Sequence, residues 1–368
     1  MTEAVAPLIL LAAGGTGGHL FPAEALGAEL MRRGLRVRLV TDDRALRYSG
    51  LFTPDMIDVV PSETVRSRSP LALARTASLL AAGVLKAYGL MRRLQPRAVI
   101  GFGGYPTLPP LVAARLAGVP SLIHDANAVM GRANKFLSRH VSAIATSLPG
   151  VLDHDPSLAA RTTLTGTPMR PAILAAAGVA YAEPQAGGTL RLLVIGGSQG
   201  ARVMADVVPP AIERLEPVLW PRLDLVQQVR QEDMARVRAV YDRLKIRAEL
   251  QPFFSDLPAR LAACHLAVSR SGAGTVAELA AIGRPSILVP LPGAIDQDQF
   301  ANAGVLSRID AAIRIVQTDF TPDRLAAEIS ALAAEPARLA AMAERARSAG
   351  RLDATERLAD LVTRVAGL

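Results

Sequence analysis

The stretch Leu8-Ile-Leu-Leu-Ala-Ala-Gly-Gly-Thr-Gly-Gly-His19 decides the fold of this 368-residue chain. Its first part, Leu8–Ala12, is a short continuous apolar run, which is typical of a strand covered on both faces. The run ends in glycines, and a stretch with helical character, Pro22–Arg33, follows. A strand that enters a helix through a glycine turn is the first half of a βαβ unit. The sequence therefore predicts a parallel α/β sheet that begins at residue 8.

The same arrangement recurs about 180 residues later, in Leu192-Leu-Val-Ile-Gly-Gly-Ser-Gln-Gly-Ala201. Two such starts predict two doubly wound, Rossmann-like parallel sheets that face each other across a cleft, and the length fits two domains. Tyr181–Thr189 has the proline and glycine content of a linker. We place an N-terminal domain at 1–163, a linker at 164–190 and a C-terminal domain at 191–349. We expect a last helix, at about 350–368, to pack back on the N-terminal domain.

Other apolar runs continue the alternation of strands and helices. The further strands that we predict are Leu35–Thr41, Ala98–Gly101, Ser121–His124, Ala143–Thr146, Arg191–Ile195, Ala267–Ser269 and Ser286–Leu291. The tail Pro322–Leu368 has no strand signal and predicts two or three helices. The most apolar long window, Leu71–Leu90, contains Arg75 and Lys86, so we predict no transmembrane segment.

Composition and charge exclude several classes of protein. Half of the residues are apolar and a fifth are charged, which excludes a largely disordered chain. The single cysteine, Cys264, excludes a disulfide framework and fits a reducing compartment. Residues 1–165 hold 18 basic and 11 acidic side chains, whereas 166–368 hold 23 and 22, so the first half carries nearly all of the net charge of +8. This charge predicts an anionic partner, and only 14 aromatic residues argue against a nucleic-acid-binding protein.

Both glycine turns predict anion sites, because they expose backbone N–H groups at a helix N-terminus. A nicotinamide dinucleotide is an alternative ligand, since Asp42 ends the second predicted strand. However, Leu20 stands where the third glycine of that motif belongs, and the second turn lacks the motif altogether. Neither turn is followed by the Lys-Ser or Lys-Thr of a phosphate-binding P-loop. Two equivalent turns in two domains therefore predict a ligand at the carboxyl edge of each sheet.

Together with other motifs in chain order, these turns resemble the MurG family of glycosyltransferases. The resemblance runs through most of the chain. The matching segments are Gly14–His19 with Pro22, Gly101-Phe-Gly-Gly-Tyr105, Ile123-His124-x-x-Asn127 with Gly131–Asn134, Thr165-Gly-x-Pro168, Gly196–Ala201, Arg270–Ala273 with Thr275 and Glu278, and Gln299-Phe-Ala-Asn302.

The resemblance implies the two-domain GT-B fold and a reaction without a metal or other cofactor. That reaction is inverting transfer of N-acetylglucosamine from UDP-GlcNAc to the 4-hydroxyl of the muramyl sugar of undecaprenyl-pyrophosphoryl-MurNAc-pentapeptide, the step from lipid I to lipid II in peptidoglycan synthesis. It also implies a peripheral enzyme on the cytoplasmic face of the inner membrane. Alternatives are another GT-B lipid glycosyltransferase, of the diacylglycerol type, an NAD-dependent oxidoreductase, and a nucleotide-binding protein without catalysis.

The chain departs from the family pattern at four places. Asp125-Ala126 stands where the family usually has Glu-Gln, so the carboxylate is one carbon shorter and the amide is lost. Asp298 stands where an amide is common, and Ala205 and Thr167 each replace an Asn.

We predict His19 as the general base, because an imidazole with a pKa near 6.5 suits proton transfer at neutral pH; a contact with phosphate is the alternative. His124 and Asp125 are the second catalytic candidates. We expect Glu278 to open a helix, and by resemblance it accepts both ribose hydroxyls of the donor. The alternative is that it is a charge partner of that helix N-terminus. The other residues expected to bind the donor are Thr16, Gly17, Gly18, Asn127, Arg170, Ser198, Gln199, Gly200, Phe254, Ser271, Gly272, Ala273, Thr275, Gln299 and Asn302. For the first four of these, the acceptor is the alternative ligand. The residues expected to bind the acceptor are Gly14, Gly15 and Tyr105.

Two Asp-x-Asp triplets resemble the metal motif of other glycosyltransferases. Asp153 and Asp155 are typical of a surface turn, and in the triplet Asp296 and Asp298 the second residue, Asp298, lies where the family usually has an amide. We therefore predict no metal site.

The lipid substrate implies a basic face that binds the anionic membrane surface. The residues that we predict for it are Arg68, Arg75, Leu79, Lys86 and Lys135. The alternative is a helix that packs on the core and leaves its charges in solvent.

Overall fold

The computed structural model of the chain describes residues 6–14, 17–42, 50–63, 69–197, 200–294 and 297–368, with the backbone alone for 70–73. The chain divides into two compact units. Unit 1 comprises Met1–Arg170 and Leu352–Leu368, and unit 2 comprises Pro171–Arg351. The first crossing between units, at Arg170, falls inside the range 164–190 that the sequence suggested for the linker.

Strands and helices alternate along the whole described chain. The strands are β1 Leu8–Ala12, β2 Arg36–Thr41, β3 Ile57–Val59, β4 Ala98–Gly101, β5 Ser121–Asp125, β6 Ala143–Thr146, β7 Thr162–Leu164, β8 Leu190–Ile195, β9 Leu223–Gln228, β10 Arg247–Gln251, β11 Leu266–Ser269, β12 Ser286–Leu288 and β13 Ala312–Arg314. The helices are α1 Gly17–Arg32, α2 Pro70–Leu94, α3 Leu108–Leu116, α4 Arg132–Leu137, α5 Pro156–Ala159, α6 Pro171–Ala177, α7 Arg202–Glu213, α8 Met234–Arg243, α9 Leu257–Ala263, α10 Ala273–Ile282, α11 Asp298–Ser307, α12 Pro322–Ala334, α13 Pro336–Ala349 and α14 Ala354–Ala366.

Each unit contains one parallel sheet, which confirms the predicted fold class. The order in unit 1 is β3-β2-β1-β4-β5-β6-β7, and in unit 2 it is β10-β9-β8-β11-β12-β13. All the strand pairs are parallel. In both sheets the chain starts in the middle, moves to one edge and then returns to the other side, which is the doubly wound topology.

The strand β1 shows why an unbroken apolar run specifies a central strand. All five of its residues are buried. Ile9 and Leu11 point to a core layer beneath α1 and α14, and Leu10 points to the opposite layer beneath α2, α3 and α4. Because side chains alternate between the faces of a strand, a strand covered on both faces has no polar position.

The predicted helix 22–33 begins earlier than expected, at Gly17, and Pro22 lies inside it. A proline there removes one backbone hydrogen bond near the helix start. The first turn of α1 begins at Gly17, at the end of the glycine loop, and His19 lies in that turn.

Five strands were not predicted, and four of them are the sheet edges β3, β7, β10 and β13. Arg247–Gln251, for example, keeps only Leu250 buried. Edge strands are partly in solvent, so they lack the continuous apolar run that identified the central strands. The fifth, β9, alternates apolar and polar residues at its start. Within the described chain, no helix combines the length and the apolar character that a membrane span requires.

Candidate active site

Each sheet has a point where its connections turn to opposite sides, and ligands of α/β proteins bind outside the carboxyl ends of the strands at such a point. In unit 1 this point lies between β1 and β4, and in unit 2 between β8 and β11. The loops that leave these strands and the helix starts that follow them contain most of the residues singled out in the sequence.

His19 lies in the first turn of α1, partly buried, against a turn formed by Gly103 and Gly104. A Cβ built on Gly103 would lie 3.2 Å from His19 Cε1, and one on Gly104 would lie 3.4 Å from its Cδ2. Both glycines have positive φ, +94° and +77°, which side chains disfavour. Burial lowers the pKa of His19 below its usual 6.5, against the opposing effects of the Asp125 charge and a hydrogen bond with the Phe102 backbone. The imidazole is therefore neutral at pH 7 and is able to accept a proton.

His124 is the second-to-last residue of β5 and is 1% exposed. Its Nε2 lies 3.0 Å from the carbonyl oxygen of Gly166 and 3.1 Å from Ser147 Oγ, which accepts a hydrogen bond from Thr167 Oγ1 at 2.8 Å. Because a carbonyl only accepts, Nε2 is the protonated nitrogen and donates to Gly166. Burial lowers the pKa of His124, against the opposing effects of the Gly166 hydrogen bond and the Asp125 charge. This nitrogen holds the segment 165–167 in place.

Both carboxylate oxygens of Asp125 accept hydrogen bonds from the loop that follows it. Oδ1 accepts from the Asn127 amide at 3.0 Å, and Oδ2 accepts from the Gly131 amide at 3.0 Å and from Asn134 Nδ2 at 2.9 Å. Asn134 Nδ2 also donates to the His124 carbonyl at 3.1 Å. The shorter acid therefore braces residues 126–131. Asn134 was not predicted as a site residue, although the motif Gly131-Arg-Ala-Asn134 was a signal that pointed to it.

The remaining predicted residues of unit 1 surround the same edge of the sheet. Gly14 is buried, and a Cβ there would lie 2.9 Å from Pro106. Arg170 places its guanidinium 4.0 Å above the ring of Phe21 in α1. Gly17 begins α1, Gly18 is exposed, and Tyr105 and Asn127 are partly buried. Gly15 and Thr16 lie outside the described residues.

In unit 2 the loop after β8 turns tightly into α7. A Cβ on Gly196 would lie only 2.2 Å from the Ala201 nitrogen, so only glycine fits. The Gly196 amide donates to Gln228 Oε1 at 2.9 Å, and Gln228 Nε2 donates to the carbonyls of Gly197 at 3.0 Å and Pro252 at 3.1 Å. Gln228, at the end of β9, thus fixes the loop from the neighbouring strand, and no local pattern in the sequence identified it. Gly200 has φ +70°, and Ser198 and Gln199 lie outside the described residues.

The N-terminus of α10 is open. Its N-cap is Gly272, which has no side chain to accept from the first-turn amides, and positions for a Cβ on Gly272 and Gly274 meet nothing within 4 Å. Thr275 lies in the first turn, partly buried like Ala273. Glu278 lies in the second turn, partly exposed, rather than opening the helix as expected from the sequence. The helix dipole acts most strongly on charges in the first turn, and Glu278 lies beyond that turn.

Three of the predicted donor residues contact one another beside α10. Ser271 Oγ donates to the Gln299 carbonyl at 2.8 Å, and Asn302 Nδ2 donates to the Ser271 carbonyl at 3.3 Å. Gln299 Oε1 accepts from the Leu291 amide at 3.0 Å. These bonds hold α11 against the loop that begins α10.

The two phenylalanines after β10 differ in exposure. Phe254, predicted at the nucleotide base, is 5% exposed and lies 4.4 Å beneath the guanidinium of Arg260. Arg260 is held by Glu249 and Asp256, at 2.7 Å each. Phe253 is 63% exposed and is therefore the aromatic ring of this pair that is available to a ligand.

The Asp-x-Asp triplets have other contacts. Asp155 caps α5, where its Oδ1 accepts from the amides of Ser157 and Leu158. Asp298 Oδ1 accepts from the Gln299 amide, and Asp296 lies outside the described residues. In the part of the chain that the structure describes, no group of three His, Cys, Asp or Glu side chains is arranged to hold a metal ion.

Comparisons with known proteins agree on the family. The N-terminal domain of glycosyltransferase family 28 matches residues 9–146, and its C-terminal domain matches residues 191–361. A UDP-N-acetylglucosamine--N-acetylmuramyl-(pentapeptide) pyrophosphoryl-undecaprenol N-acetylglucosamine transferase of Bradyrhizobium sp. strain BTAi1 is 82% identical over 363 residues, 99% of each chain. A relative of the same name from Rhodopseudomonas palustris strain BisB18 is 78% identical, over 99% of this chain and 97% of its own.

Solved structures give the same result. The crystal structure of Acinetobacter baumannii MurG is 30% identical and has a TM-score of 0.78, over 97% of this chain and 99% of its own. A structure of S. aureus MnaA with UDP has a TM-score of 0.70 at 13% identity, over 97% of this chain and 96% of its own, and shares the fold. The chain therefore belongs to the MurG family, the N-acetylglucosamine transferases within glycosyltransferase family 28.

Proposed function

We propose that the protein transfers N-acetylglucosamine, with inversion, from UDP-GlcNAc to the 4-hydroxyl of the muramyl sugar of undecaprenyl-pyrophosphoryl-MurNAc-pentapeptide. The observation that carries this proposal is the 82% identity, over 99% of the chain, to a relative that bears the name of this transferase. The N-termini of α7 and α10 in unit 2 support it, because UDP is a diphosphate and helix N-termini favour negative charge.

The donor would bind at the carboxyl edge of the unit 2 sheet. The backbone amides that begin α7 and α10 would hold the diphosphate, since neither N-cap residue, Ala201 or Gly272, supplies a side-chain acceptor. Glu278, partly exposed one turn further along α10, would accept hydrogen bonds from the ribose hydroxyls. The exposed ring of Phe253 would stack on the uracil, whereas Phe254 supports the loop from below.

His19 would take the proton from the attacking hydroxyl. Its depressed pKa keeps it neutral at pH 7, and it lies at the edge of the unit 1 sheet where a ligand is expected. His124 and Asp125 would position this part of the site rather than transfer protons. Their polar atoms are bonded to Gly166, Asn127, and the loop beyond it, and both side chains are almost fully buried.

Unit 1 would bind the anionic surface of the membrane. The helices α2, α3 and α4 pack together on one face of its sheet. Their outer side carries the exposed basic residues Arg75, Lys86 and Lys135. It also carries large exposed apolar residues that the sequence did not single out, Leu85, Leu116 and Phe136, which are 73%, 65% and 59% exposed.

Basic and apolar side chains together are the pattern of a peripheral membrane face. Leu79 is half-buried and would contribute less than predicted, and Arg68 lies outside the described residues.

The test is to incubate the protein with labelled UDP-GlcNAc and a lipid-linked muramyl-pentapeptide, with and without a chelator. We expect transfer of label to the lipid-linked muramyl sugar in both conditions. Transfer only to diacylglycerol would support the other class of lipid glycosyltransferase, and absence of any transfer would contradict the proposal. Transfer that stops with the chelator would contradict metal independence.

A further inference from the structure

Arg284 is fully buried just after the end of α10. Its guanidinium donates only to backbone carbonyl oxygens. Nε donates to Leu261 at 3.0 Å and Ala262 at 3.2 Å, Nη1 donates to Ile282 and Gly283 at 3.0 Å each, and Nη2 donates to Ala262 at 2.6 Å and Val179 at 3.3 Å.

Four of these five carbonyls, all but that of Val179, belong to the C-terminal ends of two helices, α9 and α10. A helix carries about half a negative charge at its C-terminus, where the last four carbonyls have no partner within the helix. Two such ends therefore offset the charge of one guanidinium, and none of the ion pairs among the described residues includes Arg284. The arginine thus joins the two helix ends without a carboxylate.

The same side chain also contacts the segment that follows α6. Its guanidinium lies 5.4 Å from the centre of the Tyr181 ring, and the Tyr181 hydroxyl donates to the His265 carbonyl at 3.1 Å. Val179 supplies the remaining carbonyl. Arg284 is therefore the common contact of α9, α10 and residues 179–181, all within unit 2.

We propose that Arg284 is a positioning residue for the donor site, and this inference rests on the proposed function. The helix α10 has 10 residues and spans about 15 Å, so an anchor at its C-terminus also fixes the position of its N-terminus. That N-terminus presents Gly272, Thr275 and Glu278, the groups assigned to UDP-GlcNAc. Arg284 itself does not touch the substrate; it sets the distance between these groups and the glycines Gly196, Gly197 and Gly200 before the start of α7.

The test compares Arg284→Met with Arg284→Lys. Methionine keeps much of the length of the side chain and removes the charge and the donors, whereas lysine keeps a charge between the two helix ends. We expect Arg284→Met to raise the KM for UDP-GlcNAc about tenfold, since a displacement of about 1 Å can cost about a hundredfold, and to leave the KM for the lipid acceptor within about twofold. Arg284→Lys should recover part of the loss.

The matched control is Leu332→Ala, a buried residue of α12 in the core of unit 2. It should lower the melting temperature without a selective change in the KM for the donor. Equal KM values for UDP-GlcNAc in Arg284→Met and Leu332→Ala, or an equal rise in both substrate KM values, would overturn the assignment and leave Arg284 as a stabilising residue only.

Two other results would also decide the question: an Arg284→Met variant that does not fold, and a wild-type protein without activity on the donor. If Arg284→Met does not fold, Arg284→Lys must still show a higher donor KM than Leu332→Ala, and the assignment fails if it does not. If the wild-type enzyme neither binds nor turns over UDP-GlcNAc, the proposed function is wrong, and the role of Arg284 in it falls with it.

Discussion

Replacement of Gly103 by alanine should impair catalysis through His19. Two costs follow from the structure. A residue with a side chain at φ +94° is destabilised by about 1–2 kcal/mol. The new Cβ would also lie 3.2 Å from His19 Cε1 and 3.3 Å from Asn134 Nδ2, whereas carbon contacts are optimal at about 3.5–4.0 Å. The imidazole must therefore move by a few tenths of an ångström.

We expect Gly103→Ala to lower kcat by about tenfold or more, because small misplacements of catalytic groups cost up to about a hundredfold. The whole contribution of a general base, about 10²–10⁴, sets the upper limit. The melting temperature should fall by about 3–6 °C, the effect of 1–2 kcal/mol in a domain of this size. Steady-state kinetics with saturating UDP-GlcNAc and thermal unfolding of the same preparations measure both effects.

The matched control is Gly118→Ala. Gly118 lies in the same unit, has φ +71°, and a Cβ there meets nothing within 4 Å. It should lose a similar amount of stability and keep its kcat. Equal kcat values for the two variants would refute the reasoning, since the contact with His19 would then have no catalytic consequence.

Four further predictions follow from the site and the core. Burial lowers the pKa of His19, so kcat/KM should stay constant from pH 8 down to below 6.5 and fall only as the pH drops through that lowered pKa and the base is protonated. Glu278→Gln should raise the KM for UDP-GlcNAc about 30-fold, the equivalent of about 2 kcal/mol for hydrogen bonds to a charged group. Reversal of charge at Lys86 and Lys135 should weaken binding to anionic vesicles in low salt by at least about 30-fold, as measured by sedimentation, because loss of about 1 kcal/mol per lysine alone gives that factor and the new negative charges add repulsion. Leu358→Ala should cost about 3 kcal/mol of unfolding free energy in denaturant titrations, because Leu358 of α14 is fully buried in the core of unit 1.

The three substitutions each have a control variant, and the pH profile has a result that would contradict it. For the pH profile, a decline that begins well above pH 6.5 would contradict a base of lowered pKa. Glu344→Gln, on the exposed side of α13, should leave the donor KM unchanged. Lys245→Glu changes the third lysine, which lies in unit 2, and equal loss of vesicle binding there would contradict a specific face on unit 1. Leu352→Ala, 44% exposed, should cost little, and a cost equal to that of Leu358→Ala would contradict the assignment of α14 to the core.

The sequence predicted the centre of each sheet better than its edges. Leu8–Ala12 and Ala98–Gly101 were predicted with their exact bounds, because a strand covered on both faces must be apolar at every position. The edge strand Arg247–Gln251 was missed because solvent covers part of it and its composition resembles that of a loop. The early start of α1 at Gly17 was missed for a local reason, since Pro22 is usual at a helix start but is tolerated here inside the helix.

By itself, the sequence determined that the chain has two doubly wound sheets, each with a glycine turn at its centre, and that its motifs resemble one glycosyltransferase family. Burial along a strand and the glycine requirement of a tight turn are local properties, so they are visible in consecutive residues.

Only the tertiary structure decided that Asp125 bonds its own loop, that Phe253 rather than Phe254 is exposed, and that Arg284 joins two helix ends. The contacts of His124 and Arg284 depend on partners that lie distant in the chain, Gly166 for His124 and Ala262 for Arg284. A polar side chain does not show in its own sequence context whether folding brings it a substrate or a carbonyl group, and it is the packing of the helices and loops around the sheet that decides between them.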